Sequence, residues 1–212
     1  MKHRQLSIPL SRIEAFSDGV IAIIITLMIF QIKLPVIDKS ATSEFIMMQI
    51  YNMLQPFIAY VLSFVMVGVL WVNHHQFLRQ LKHADRHLLW YNLHLLFWMC
   101  ILPIPTNFLG QAYQQPDVIM LYGFVMFMCA LAFLLIREYV DRHDLFIDGL
   151  NRELRVAARK KLIISVILYF ISIFAGFLSV YISLGIFVLI PAAYFLPANI
   201  IVSEKEHEKV NQ

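Results

Sequence analysis

Charge and glycine are both scarce in this sequence. Aspartate, glutamate, lysine and arginine together make up 15% of its 212 residues, against about a quarter in a soluble domain. That leaves too little polar surface for a separate catalytic domain. Only seven glycines are present, widely scattered, which excludes a TVGYG-like carbonyl filter and a dinucleotide fingerprint. The two cysteines, Cys100 and Cys129, sit inside apolar runs without metal or redox spacing and read as packed side chains. There is no G-x-S-x-G, H-E-x-x-H or Walker A pattern, and no helix repeats arginine at every third position as a voltage sensor does. An enzyme is therefore not expected, and no cofactor, resident metal or nucleic-acid partner is implied.

What remains is apolar. The chain is 60% hydrophobic with a mean hydropathy of +0.70, the composition of a multi-pass membrane protein. The N-terminus lacks a small-residue cleavage site, and its first hydrophobic run is too long for a signal-peptide core, so that run is expected to stay as a helix. A spanning helix needs about 20 mostly apolar residues. Six such segments are predicted, at 13–34, 49–77, 87–109, 116–140, 161–183 and 184–201. They form one domain over 1–204, followed by a short polar tail at 205–212. Pro35 stops the first span, and YISLG at 181–185 is expected to make a tight turn between the last two. The polar segment at 137–161 is expected to form short amphipathic helices.

Basic residues fix the orientation. Lys2, Arg4 and Arg12 precede the first span, and Arg79, Lys82 and Arg86 separate the second from the third. Arg137, Arg142, Arg152, Arg155, Arg159, Lys160 and Lys161 separate the fourth from the fifth, and Lys205 and Lys209 follow the sixth. Only Lys33 and Lys39 lie on the opposite side. Both termini are therefore expected to be cytoplasmic, and the basic clusters to meet lipid headgroups.

The first span carries the polar residues that need explaining. At about 100° per residue, Ile23, Leu27 and Phe30 fall within about 60° of one another, with Thr26 on their flank and Asp18 about 140° from Ile23. One face is bulky and apolar with a hydroxyl beside it, and the acidic end points elsewhere. That stripe either faces lipid or a neighbouring helix, with Thr26 bonded to its own i−4 carbonyl, or lines a path. Asp18 needs a partner, since an ionisable group inside a span is costly. A network with Arg12, Ser17, Trp71, Asn73 and His74 would supply one. His74 and His75 are adjacent and point about 100° apart, so they do not share a metal ion. His94 reads as a packed or bridging histidine.

RIEAFSDG at 12–19 resembles the R-x-x-x-F-S-D signature of the transmembrane protein 175 potassium-channel family. The similarity extends to Thr26, to WVNHH at 71–75 and to the six-helix, single-repeat layout. The resemblance implies a homotetramer whose four first helices line a central pore and select potassium without a carbonyl filter. It implies Ile23 as the main constriction, Leu27 and Phe30 as further layers, and Thr26 as a polar ring. Arg12, Phe16, Ser17, Asp18, Trp71, Asn73 and His74 would hold the pore helix to its subunit. Phe30 departs from the smaller aliphatic residue expected there, and its ring would narrow the outer pore. Four apolar stripes would form a constriction able to gate by dewetting, with modest preference for potassium over sodium. The implied partners are a further copy of this chain, membrane lipids and potassium ions, in a bacterial inner membrane. The alternative is a secondary transporter, for which Pro103 and Pro105 in the third span are the main argument.

Overall fold

The computed structural model describes residues 9–195. It contains seven α-helices: α1 (Leu10–Met28), α2 (Ser43–Leu78), α3 (Arg86–Ile101), α4 (Pro103–Ala112), α5 (Pro116–Arg142), α6 (Arg152–Ala175) and α7 (Val180–Phe195). Among the described residues there is no strand, only an isolated bridge between Leu81 and Phe146. α3 and α4 form one rod interrupted at Leu102, so the seven helices make six rods, as the hydropathy predicts. Four rods, Leu10–Gln31, Ser43–Leu78, Arg86–Ala112 and Pro116–Arg142, are each long and apolar enough to cross a bilayer. The protein is an all-α, multi-pass integral membrane protein.

Side-chain caps set several helix starts. Thr42 accepts from the Phe45 amide at 3.3 Å and begins α2 six residues before the apolar run expected from position 49. Asp85 accepts from Leu88 at 2.8 Å and Asn151 from Glu153 at 2.7 Å. Each satisfies an amide that the first helical turn leaves without a partner.

Three further boundaries differ from the sequence expectation. The first helix does not run to Leu34: α1 ends at Met28, tightens into a 3-10 turn over Ile29–Gln31 and becomes extended at Ile32. The Gln31 carbonyl, left over at this end, accepts from Asn107 on α4 at 3.1 Å. The turn between the last two rods lies at 176–179, not at YISLG. The Ser183 hydroxyl of that motif is buried inside α7 and donates to the Ser172 carbonyl at 2.8 Å, so its polar group is satisfied helix to helix rather than in a turn. Finally, the 137–161 segment forms no separate short helices. α5 continues to Arg142 and α6 begins at Arg152, because the charged turns pair across the gap as Arg155–Asp141 and Arg159–Glu138. The end of the expected sixth span and the 205–212 tail lie outside the described residues.

The third rod is interrupted at Leu102 without leaving helical geometry. Pro103 and Pro105 have no amide to give, yet Leu102 keeps helical angles. The Thr106 amide and hydroxyl both reach the Leu102 carbonyl, at 3.2 and 2.8 Å. The same hydroxyl lies 2.8 Å from Ser63 Oγ on α2, which lies 3.0 Å from the Tyr122 hydroxyl on α5. This buried chain of hydroxyls joins three rods where apolar contact alone has no lipid-excluding advantage. Small residues bring rods close: a Cβ on Gly123 of α5 would lie 2.9 Å from Ser172 Oγ on α6.

Candidate functional site

Along α1, burial alternates with the helical period. Ile13, Ser17, Ile21, Ile24 and Met28 are buried against the subunit. On the opposite side Ile23 is 57% exposed, Leu27 50% and Phe30 77%, and Thr26 is exposed with them. The stripe read from the sequence is thus the face that the rest of the subunit leaves uncovered. Phe30 falls in the 3-10 turn and is the most exposed of the three.

Thr26 donates its hydroxyl proton to its own helix, 3.0 Å from the carbonyls of both Ala22 and Ile23. A hydroxyl has one proton and two lone pairs. With the proton committed to backbone, the oxygen is left as an acceptor on the uncovered face.

The first two turns of α1 are fastened to α2 and α3 through two separate connections. In the first, the Trp71 indole donates to Asp18 Oδ1 at 2.8 Å. In the second, His74 Nε2 meets Asn92 Oδ1 at 2.7 Å, and Asn92 Nδ2 donates to Ser17 Oγ at 2.9 Å. His74, Asn92 and Ser17 are all buried, and this path crosses three rods, with both ends of the Asn92 amide engaged. Asp18 and Trp71 thus meet in one connection, and Ser17 and His74 are joined in the other through Asn92.

The other three residues assigned to the network stand elsewhere. Asn73 donates to the Val69 carbonyl of its own helix at 2.7 Å. Phe16 is exposed on α1, and the exposed Arg12 side chain has no ion pair among the described residues. Two participants carried little sequence signal. Asn92 is a lone amide in an apolar run, and its place follows only from the rule that polar groups inside a span find partners. Glu14 lies 3.0 Å from His75 Nδ1, so His75 turns towards α1 while His74 turns into the bundle. Glu14, Asp18 and His75 offer ligand atoms within 4.8 Å of one another, the one such group among the described residues that could share a cation. His94 accepts from Trp98 of its own helix at 2.9 Å, a local bond within α3.

Comparison with known proteins points one way. The family described as endosomal/lysosomal potassium channel TMEM175 matches residues 12–103. A potassium channel of Chryseobacterium sp. is 35% identical over 188 residues, spanning 88% of this chain and 92% of that protein. A potassium channel of Chamaesiphon minutus is 29% identical over 199 residues, spanning 87% and 92%. The crystal structure of a lysosomal potassium-selective channel TMEM175 homolog from the same organism superimposes with a TM-score of 0.75 at 27% identity, covering 87% of this chain and 95% of that one. On these similarities the chain belongs to the TMEM175 family.

Proposed function

We propose that this chain is one subunit of a potassium-permeable channel and that the uncovered face of α1 lines its pore. The observation that carries this reading is the division of α1 into a face buried in its own subunit and a face of Ile23, Thr26, Leu27 and Phe30 that the described residues leave exposed. The naming of similar proteins as potassium channels supplies the ion. In this reading four copies place their α1 helices around a common axis in a bacterial inner membrane, with both termini cytoplasmic.

The chemistry of such a pore follows from its lining. Ile23 and Leu27 offer no polar atom, so an ion passing them sheds water, and the constriction dries when narrow enough. The Thr26 oxygen, already aimed outward as an acceptor, would supply part of what the ion gives up. No carboxylate stands on the stripe, so selectivity rests on bore and hydroxyl rather than on a charged ring. Asp18, held by Trp71, anchors the helix and takes no part in conduction.

A reversal potential tests this in planar bilayers containing purified protein between potassium and sodium solutions. A shift towards the potassium equilibrium potential is expected. Substrate-coupled flux without such a potential would instead identify a transporter.

A further inference from the structure

A cavity of about 80 Å³ lies between α2, α5, α6 and α7, at the end of the bundle where the basic residues gather. Phe77, Phe133, Arg137 and Leu162 form its buried floor, and Gln76 and Ala158 its exposed rim. No carboxylate lines it. Arg137 is only 8% exposed. Its guanidinium donates to the Arg155 carbonyl at 3.3 Å and lies 5.7 Å from the Phe77 ring and 5.8 Å from the Phe146 ring. A guanidinium carries five donors, and among the described residues this is the one acceptor it meets.

The nearby acids are already engaged. Glu138 pairs with Arg159, and Asp141 with Arg155, leaving Arg137 without a carboxylate among the described residues. Asp141 stands one turn along α5 from Arg137, but a buried cation with no carboxylate in direct contact remains unfavourable. Lys161 brings a second positive charge to the same cavity, its ammonium 4.2 Å from the Tyr194 ring and likewise without a carboxylate among the described residues.

We propose that this cavity binds a phosphate-bearing anion, as an anionic lipid headgroup or as free phosphate, with Arg137 as the buried cation and Lys161 as its second. The volume suffices for about five waters, taking roughly 15 Å³ for each, and so for one tetrahedral phosphate. The planar fork of arginine suits two phosphate oxygens at once, and lysine adds a point charge. Basic pockets between spanning helices, at the depth where the chain leaves the bilayer, are where phospholipid headgroups are held.

Native mass spectrometry of the purified full-length protein tests the site, with phosphatidylglycerol and phosphatidylcholine as probes. Selective retention of phosphatidylglycerol is expected. Lys161→Gln should weaken it about tenfold, the loss of one charge-assisted contact. Arg137→Lys, which keeps the charge but removes the fork, should weaken it by a similar factor. Arg142→Gln removes an exposed charge that does not line the cavity and should change retention less than about twofold. Competition by inorganic phosphate would assign the site to phosphate from either source, and failure to compete would assign it to lipid. Equal retention of both lipids overturns the proposal. So does an Arg142→Gln effect as large as that of Lys161→Gln, or full retention in both cavity variants.

Discussion

His74 on α2 and Asn92 on α3 meet at 2.7 Å inside the bundle, both buried. The contact leaves the Asn92 amide nitrogen free to reach Ser17, so one side chain closes a path across three rods. Replacing Asn92 with Leu removes the acceptor of one bond and the donor of the other, leaving His74 and Ser17 buried without partners. The expected loss is about 1–3 kcal/mol for each orphaned group, read as a lower unfolding temperature in detergent. A variant that melts with the wild type would show that the path contributes nothing to stability.

Trp71→Phe keeps an aromatic ring and deletes only the N–H that meets Asp18. Fewer assembled channels are expected from this variant and from Asp18→Ala, with unchanged permeability ratios in those that form. Elution on size exclusion and reversal potentials from the same preparation separate the two effects. Normal assembly with altered selectivity would move Asp18 from the anchor to the conduction path.

Ile23→Ala removes bulk from the most regular part of the uncovered face without touching the buried one. It is expected to raise conductance and weaken the preference for potassium over sodium. An unchanged permeability ratio would place the narrowest point elsewhere.

Thr26→Val conserves shape and deletes the hydroxyl. Because the hydroxyl proton is spent on the carbonyls of Ala22 and Ile23, the helix should remain intact and only the outward oxygen should be lost. A change in permeability ratio is expected with little change in thermal stability. A large loss of stability instead would mark Thr26 as structural.

Asp85 caps α3 and accepts from the Tyr139 hydroxyl. Burial alone would raise its carboxyl, but the bonds from Tyr139 and Leu88 hold it below the usual carboxylate range. A lowered native value makes the cap strongest where the free acid would already be ionised. Asp85→Ala should therefore cost about 1 kcal/mol above roughly pH 4. The difference should shrink as pH falls through the lowered native value. A gap that widens on acidification would contradict the assignment.

Much of this was legible in the sequence because membrane helices obey simple periods. The α1 stripe followed from a repeat of 3.6 and the rods from apolar length. What escaped were contacts between lone polar residues far apart in the chain. Asn92 and Ser17 are separated by 75 positions and Asn107 and Gln31 by 76, so no spacing rule links them. The helix ends were misplaced for a related reason. Ser183 looked like turn chemistry because serine and glycine stand together there. Its hydroxyl finds a carbonyl on the adjoining rod, and the chain turns at Gly176 instead.

The fastening of α1 at its two ends has a mechanical consequence. Ser17 and Asp18 are held near one end and Gln31 at the other, whereas the described contacts of the stretch between them to its own subunit are apolar packing. Such a rod can bow about fixed supports without breaking a polar contact. The supports define where the helix stands, and the compliance of its middle defines the bore. Because one support is Asn107, on α4 beyond the interruption at Leu102, a change of angle at that interruption would pull on the far end of α1 and change its curvature at Ile23 and Thr26.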